Sequence, residues 1–192
     1  MRGFFTLGCL AALSAGWSMA AEVKLVDDKG VDLLKAPAVY TLTNLHPDDE
    51  RARLYAVNFL QSGLIPRCTE VRLKKLGRDS LTFVVVSRGD RSYEYLNHEA
   101  AAEPFKNHLL RFFGSACNPA DIERLSAVDR DGIGKGIAQG GMTRQGVIYA
   151  LGYPPRHVNP SLESGDWTYW KNRYDRIIVR FDANGIVSGL TD

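Results

Sequence analysis

Cysteine and histidine are the residue types in this sequence that could support metal binding or nucleophilic chemistry. The chain has 192 residues, with three cysteines and four histidines. Removal of an N-terminal signal peptide would take Cys9 away, and the remaining pair, Cys68 and Cys117, then favours a disulfide in an exported protein. A metal site and a Cys–His nucleophile are the alternatives. The histidine spacing supports neither; the four are His46, His98, His108 and His157.

Glycine and acidic motifs in the second half of the chain resemble binding sequences, but each has a simpler structural interpretation. Residues 132–136 place three glycines around Lys135, yet they match neither glycine-rich nucleotide-binding pattern. We therefore interpret residues 118–140 as a glycine-rich connection. Residues 129–132 lack most ligands of a calcium loop, and the Arg-Gly-Asp sequence at residues 88–90 is typical of a hairpin turn. These motifs predict no cofactor and no metal.

Two carboxylates near His98 are candidates for acid–base chemistry. Glu99 and Glu103 could share one helical face, but such groups most often form a solvated face. The sequence contains no nucleophile-elbow or zinc-protease motif. We therefore predict no catalytic residue and a protein that is not an enzyme. An enzyme site in the first half of the chain is an alternative, which convergent titratable residues in a pocket between His98 and residues 91–96 would favour.

A basic cluster surrounds the first strand of a predicted three-stranded meander. Arg72, Lys74 and Lys75 are candidates for contact with anionic lipid head groups or with an acidic partner. The cluster also includes Arg67 and Arg78. The alternative is that these charges keep an edge strand soluble.

A second candidate surface combines tryptophan with arginine, a pairing typical of protein-binding hot spots. Alternation along two predicted strands places these side chains on the face opposite the apolar stripe of a C-terminal sheet. We expect the tryptophan to be exposed there. The candidate partner-binding residues are Trp170, Arg176, Ile178 and Arg180.

Hydrophobic periodicity predicts an α+β fold of two small units, each with helices packed on an antiparallel sheet. The first unit is residues 21–117 and the second is residues 141–192. The elements predicted in the first unit are a strand over residues 39–45, a helix between Pro47 and Gly63, strands over residues 69–76, 81–87 and 91–96, and a helix over residues 99–113. A short helix is predicted within residues 118–125. The elements predicted in the second unit are a helix from Thr143 to Leu151 and strands over residues 166–170, 176–181 and 186–190. We expect Thr143 to cap this helix, Gly141 to turn the chain into it and Gly152 to end it.

Four sequence blocks follow one another in the last third of the chain. The blocks are Gly141, Met142, Thr143 and Val147; Leu151, Gly152 and Pro154; Trp167 and Tyr169; and Phe181 and Gly185. In this order, residues 137–192 resemble the SmpA/OmlA, or BamE-like, domain family. The resemblance implies a small α+β domain that binds envelope proteins, as in the outer-membrane β-barrel assembly machinery. Gly146 stands where the family usually has a longer polar residue, and we expect it to weaken the helix by about 1 kcal/mol.

Residues 1–20 have the layout of a secretory signal peptide, in which Arg2 precedes an apolar run and then small residues. We expect cleavage after Ala20, with an uncleaved membrane anchor as the alternative. The mature protein is then expected to be periplasmic or secreted, and could associate with the outer membrane.

The composition narrows the function classes further. Basic residues number 24 and acidic residues 22, giving a net charge of +2, which argues against a nucleic-acid-binding protein. We predict an exported, non-catalytic protein-binding module in cell-envelope and outer-membrane protein assembly, whose partners are envelope proteins such as outer-membrane assembly subunits. The alternative is a secreted or periplasmic inhibitor or sensor, because the domain is also similar to the repeat unit of a secreted β-lactamase inhibitor.

Overall fold

The computed structural model describes residues 23–57, 59–89 and 91–192. In this part of the chain, four α-helices and two β-sheets form a mixed fold, which confirms the predicted α+β class. The predicted signal peptide, residues 1–20, lies outside the described residues, as does Asp90 of the predicted Arg-Gly-Asp turn. None of the helices within the described ranges has the length and apolar character needed to cross a membrane.

Six strands form the larger sheet. The strands are β1 (Val39–Thr41), β2 (Arg53–Tyr55), β3 (Glu70–Leu76), β4 (Ser80–Val85), β5 (Ser92–Leu96) and β6 (Phe113–Gly114). Their order across the sheet is β2-β5-β4-β3-β1-β6. Neighbours are antiparallel except β2 and β5, which are parallel. The predicted three-stranded meander is confirmed as β3, β4 and β5.

Alternating burial builds the core of the larger sheet. In β3, Val71 and Leu73 face the core while Arg72 faces solvent, as the period of a strand requires. Phe83 and Tyr93 lie opposite each other on β4 and β5, with ring centroids 5.6 Å apart. Burying an apolar side chain of this size contributes roughly 2–3 kcal/mol, so a one-residue slip of these strands would be strongly unfavourable.

The helix predicted between Pro47 and Gly63 is wrong. The described residues of this segment form turns and the short strand β2, which pairs with β5. Ala56 is buried in the core of the larger sheet, whereas Leu60, at helical spacing from it, packs against the core of the smaller sheet. Apolar residues at helical spacing therefore serve two different cores here, and this tertiary packing overrides the local helical pattern.

The helix predicted over residues 99–113 is much shorter than expected. A 3-10 turn forms at Glu99–Ala101, and the α-helix α1 covers only Phe105–Leu109. Between them, Ala102 adopts a φ of 57°, which interrupts the helix. The chain then enters β6, which pairs with β1. Strand β1 also ends earlier than predicted, at Thr41.

Two helices occupy the segment that we interpreted as a connection. Helix α2, Ala120–Glu123, confirms the predicted short helix, and helix α3 is Ala127–Lys135. The Ser126 hydroxyl accepts a hydrogen bond from the Asp129 backbone N–H, and the Asp129 carboxylate accepts one from the Ser126 backbone N–H. The interpretation of residues 118–140 as a connection is therefore wrong over α3, whose apolar side belongs to the core of the smaller sheet.

The smaller sheet is the predicted three-stranded antiparallel meander. Its strands are β7 (Asp166–Trp170), β8 (Arg176–Phe181) and β9 (Val187–Thr191). Helix α4, Arg144–Leu151, packs on one face of this sheet. The Thr143 hydroxyl accepts a hydrogen bond from the Gly146 backbone N–H, so Thr143 is the predicted N-cap.

A buried polar junction joins the two cores. The side-chain amide of Asn44 donates to the carbonyl oxygens of Ile133 at 2.7 Å and Ala150 at 3.3 Å. Its amide oxygen accepts from the backbone N–H of Arg67 at 2.8 Å, and Tyr153 packs against both cores. Since a buried amide that loses its partners is costly, Asn44 fixes how the two sheets sit against each other.

Candidate functional site

Cys68 and Cys117 form a disulfide, as predicted, with their Cα atoms 5.3 Å apart. Cys68 precedes β3 and Cys117 follows β6, so the bond joins the start of an internal strand to the segment after an edge strand. Within the described ranges, no group of three or more potential metal-ligating side chains comes together.

The basic residues around β3 do not share one surface. Arg72, Lys74 and Lys75 are exposed on β3, whereas the Arg67 side chain is only 5% exposed and pairs with Asp121 at 3.1 Å. Strand β1 pairs only with the first two residues of β3. The half of β3 that carries the exposed charges therefore has one open side in the described chain, which fits the interpretation of a charged edge strand. Contact with an anionic surface stays a prediction.

Trp170 is half-buried, not exposed as expected. Cross-strand pairing places it opposite Arg176, and strand alternation puts Ile178 and Arg180 on the same face of the sheet. However, the Trp170 carbonyl oxygen accepts a hydrogen bond from the Leu60 backbone N–H at 2.8 Å, and its buried indole Nε1 has no hydrogen-bond partner among the described residues. The segment that follows β2 thus covers part of this tryptophan.

The covered tryptophan lines a small aromatic–basic pocket. The pocket has a volume of 190 Å³, and Trp170 shares it with Phe59, His98, His157 and Arg173. Burial and, secondarily, the charge on His98 lower the pKa of His157. Cationic and imidazole groups without a carboxylate in the lining favour an anionic group. The sequence indicated His98 only as a neighbour of Glu99 and Glu103 and gave His157 no role, so it did not place either histidine beside Trp170.

A buried titratable network crosses from β5 to α1. The Tyr95 hydroxyl lies 2.8 Å from His108 Nε2, and His108 Nδ1 lies 3.2 Å from Glu103 Oε1. Arg111 also pairs with Glu103, and Arg156 lies 3.6 Å from it. Burial lowers the pKa of His108. Burial alone would raise the pKa of Glu103, but the hydrogen bond from His108 and the charge of Arg111 lower it overall.

These groups form a closed structural network. A neutral His108 that donates from Nδ1 to Glu103 and accepts from the Tyr95 hydroxyl at Nε2 satisfies both of its ring nitrogens. The cavity that Tyr95 lines has a volume of only 10 Å³, which is too small for a substrate. The interpretation of Glu103 as part of a solvated face is wrong, since its side chain is 7% exposed. The spacing of Glu103 and His108 along the chain does not place both side chains on one face of a helix, so the sequence pattern did not indicate their contact.

An apolar groove of 470 Å³ lies beside the smaller sheet. It is bordered by Leu60, Ile137, Ala138, Leu151, Ile177 and Leu190. Helix α4 is only eight residues long and leaves part of the sheet's inner face near Ile177 and Leu190 uncovered. Ile137 is 45% exposed and Leu190 is 43% exposed. An ion pair between Lys171 and Asp192, 2.8 Å apart, also borders this apolar groove, so the groove combines apolar walls with a polar rim.

The two edges of the smaller sheet differ. On β7, the Asn159 side chain accepts from the Thr168 N–H at 2.7 Å and donates to the Thr168 carbonyl oxygen at 2.9 Å. On β9, Val187 donates to the Met142 carbonyl oxygen and accepts from the Gly141 N–H, both at 2.8 Å. After Val187, no described segment pairs with the outer edge of β9. The apolar groove lies beside this open edge.

The residues of the four BamE-like blocks build the fold. Gly141, Gly152 and Gly185 have φ values of 87°, 83° and 74°, which favour glycine. The block residues that are buried are Met142, Val147, Leu151, Gly152, Pro154, Trp167, Tyr169 and Phe181. The predicted roles of Thr143 as a cap and of Gly141 and Gly152 as turn residues are confirmed.

A packing contact that the sequence did not reveal explains why position 146 is a glycine. Asp129 is fully buried, and its carboxylate accepts from the Thr143 backbone N–H and from the Ser126 hydroxyl, each at 2.8 Å. It thereby joins the start of α3 to the start of α4. A Cβ atom on Gly146 would overlap this carboxylate. Glycine is therefore needed here so that the two helices can approach.

No protein-family model matches the chain, and no significant match was found among curated proteins or solved structures. The resemblance of residues 137–192 to the BamE-like family therefore stays a prediction from the sequence blocks.

Proposed function

We propose that this protein is an exported, non-catalytic protein-binding module of the cell envelope that acts in outer-membrane protein assembly. The observation that carries the proposal is the apolar groove, where Ile137 and Leu190 are accessible beside an open strand edge. Accessible apolar surface with a polar rim is typical of interaction sites. The BamE-like blocks support the choice of envelope partners over others.

The disulfide supports the proposed location. Disulfides persist in oxidising compartments such as the periplasm and the extracellular space. The Cys68–Cys117 bond therefore agrees with the signal peptide expected over residues 1–20 and with a mature protein outside the cytoplasm.

The placement of the titratable groups supports binding over catalysis. Tyr95 and His108 are each 3% exposed, and each hydrogen-bonds inside the network that ends at Glu103. A general acid or base must reach its substrate within hydrogen-bond distance, and these groups lie under covering residues. The apolar groove, in contrast, is open and lined mainly by aliphatic side chains.

The exposed charges on β3 suit a second, weaker contact. Arg72, Lys74 and Lys75 extend from the open half of that strand. Near a membrane surface that carries anionic lipids, each such charge contributes about 1 kcal/mol of attraction. This contact would hold the module close to membrane-bound partners without requiring an anchor.

Site-specific photo-crosslinking in intact cells tests the proposal. A photoreactive phenylalanine derivative replaces Ile137 in the tagged full-length protein, and adducts are identified by mass spectrometry. The matched control carries the same residue at Leu162, which is 36% exposed and lies outside the groove lining. We expect adducts with outer-membrane assembly subunits at position 137 and none at position 162.

Two results would overturn the proposal. Adducts with a single soluble enzyme would favour the inhibitor or sensor alternative. An absence of adducts at position 137, from protein whose thermal unfolding is unchanged, would show that the apolar groove has no partner in the cell.

A further inference from the structure

The outer edge of β9 is the starting point for a more specific assignment of the apolar groove. Its first residue, Val187, is already paired through Gly141 and Met142. The remaining residues, 188–191, have no partner strand on that side among the described residues. Their outward backbone N–H and C=O groups are free to pair with another extended chain.

This edge lacks two residue types that commonly keep natural edges from pairing, and its one register shift lies at the start of the open residues, opposite Arg180 and Phe181. Its sequence from residue 187 is Val-Ser-Gly-Leu-Thr, without the lysine or proline that commonly protects an edge strand. The opposite edge of the same sheet is occupied. The Asn159 side chain hydrogen-bonds both the N–H and the carbonyl oxygen of Thr168, and the Leu60 N–H donates to the Trp170 carbonyl oxygen. The chain thus closes one edge of the smaller sheet with its own residues, whereas none of the described residues closes the other edge after Val187.

We infer that an extended segment of a partner polypeptide binds along β9 as a fourth strand and places apolar side chains in the groove. The inference rests on the proposed protein-binding function. In this mode, main-chain hydrogen bonds supply affinity and alternate side chains supply specificity. Leu190 lies opposite Val179 on the inner face of the sheet. Side chains of an added strand that point to the same face would therefore meet Ile137 and Ala138 across the groove.

The chemistry of the site favours this occupant over a second copy of the chain. A second β9 would offer one apolar side chain to the groove, Leu190, between a glycine and a threonine. The groove has a volume of 470 Å³, which lies in the range of sites that hold much larger apolar groups. A segment that alternates large apolar residues with polar ones fits both the groove and the unpaired backbone groups.

A defined peptide pair tests the inference with purified full-length protein. The first probe is a fluorescent peptide of about eight residues, within the usual strand length, that alternates leucine with threonine between terminal lysines. The second has the same side chains, but every internal amide is N-methylated and cannot donate. Fluorescence anisotropy should show that N-methylation weakens binding at least tenfold. Hydrogen exchange at residues 188–191 should slow only with the first peptide.

Protein variants locate the binding site. Ile137→Lys should weaken binding of the first peptide at least tenfold. Val158→Lys, at a residue that is 38% exposed and outside the groove lining, should leave binding unchanged. Both positions are exposed, and equal thermal unfolding of the two variants would show that they are folded.

Three outcomes would overturn strand addition. Equal binding of both peptides would show that the groove takes side chains without backbone pairing, which would leave the proposed function standing. If the first peptide failed to bind while crosslinking in cells gave adducts at position 137, partners would bind the groove without adding a strand, and the proposed function would again stand. A homodimer in sedimentation analysis that Ile137→Lys dissociates would assign the edge to a second copy.

Discussion

The larger sheet and the smaller sheet differ in how their polar groups are buried and in how much of their surface is covered. Around the larger sheet, a disulfide joins two segments, the network of Tyr95, His108 and Glu103 is buried, and the cavity beside Tyr95 is nearly filled. Around the smaller sheet, the buried Asp129 accepts backbone and hydroxyl hydrogen bonds from two helix starts. Helix α4 leaves part of that sheet's inner face uncovered at the apolar groove, and no described segment pairs with the edge of β9 after Val187.

This difference indicates a division of roles. The larger sheet encloses its reactive side chains, which stabilises the structure but presents little to a partner. The smaller sheet has fewer strands and less cover, and its helices are held in place by Asp129, so its open edge is presented by a rigid support. Binding surfaces positioned on regular elements are more accurately placed than surfaces on loops.

Among the changes that test this difference between the two sheets, removal of the disulfide should have the largest effect on stability. The double variant Cys68→Ala/Cys117→Ala should lose about 4 kcal/mol of unfolding free energy, because the bond closes a loop with a sequence separation of 49. Urea denaturation measures the loss, and reduction of the wild-type protein should lower its stability by a similar amount. If the double variant were as stable as the wild type, the enclosed sheet would not depend on the bond.

Gly146→Ala should have the next largest effect and should act on the smaller sheet. The new Cβ would overlap the Asp129 carboxylate, so Asp129 must shift and its partners at Thr143 and Ser126 lose hydrogen bonds. Overpacking and unsatisfied buried groups together should destabilise the protein by about 3 kcal/mol.

Gly134→Ala is the matched control, because Gly134 lies in α3 with open space at its Cβ position. Alanine there should stabilise the protein by about 0.5–1 kcal/mol through helix propensity. Thermal or urea unfolding of both variants compares the two glycines directly. Equal effects at both positions would contradict the role given to Asp129.

Gly146 also shows how far the sequence could predict the structure. The local pattern predicted α4, its Thr143 cap and the three-stranded meander correctly, since caps, turns and alternation are encoded by neighbouring residues. From the sequence, Gly146 was expected only to weaken that helix. Its contact, Asp129, lies in α3, and the glycines within residues 132–136 led us to interpret this helix as a connection. The reason for this glycine depends on a packing contact that no local pattern contains.

The same limit applies to the candidate site. Val39–Thr41 and the meander were predictable, but the helix predicted between Pro47 and Gly63 was wrong because Ala56 and Leu60 enter different cores. Because Leu60 lines the apolar groove together with Ile137, the wrong helix prediction kept the groove from being recognised in the sequence. Trp170 was predicted to be an exposed partner-binding residue, yet the same misassigned segment covers part of it. Sites formed by chain segments far apart in sequence require the fold before they can be recognised.

Asn159→Ala should weaken the closed edge of the smaller sheet. It removes both side-chain partners of the Thr168 backbone, and losing buried hydrogen bonds of this kind costs about 2 kcal/mol. Hydrogen exchange at Thr168 should accelerate while exchange in β9 stays unchanged. Asn184→Ala, in the exposed hairpin turn, is the control and should have little effect. If Asn159→Ala left the Thr168 exchange rate unaltered, the two edges would not differ in the way described.

The smallest expected effect is a pH dependence of stability that comes from the enclosed network. Burial lowers the pKa of His108 below its ordinary value near 6.5, so the folded protein binds fewer protons than the unfolded chain as the pH falls below that value. Stability should therefore decrease as the pH is lowered below about 6.5, with a slope of at most about 1.4 kcal/mol per pH unit for one proton. Urea denaturation at a series of pH values measures this slope.

His108→Gln isolates the contribution of the network, because glutamine does not titrate. Burial also lowers the pKa of His46, and burial with the charge on His98 lowers that of His157, so both add to the slope in the same direction. The wild-type slope below pH 6.5 should therefore exceed the slope of the variant by the share of His108. Equal slopes would mean that His108 titrates alike in the folded and unfolded states, and the larger sheet would then not enclose its titratable groups more completely than the smaller one.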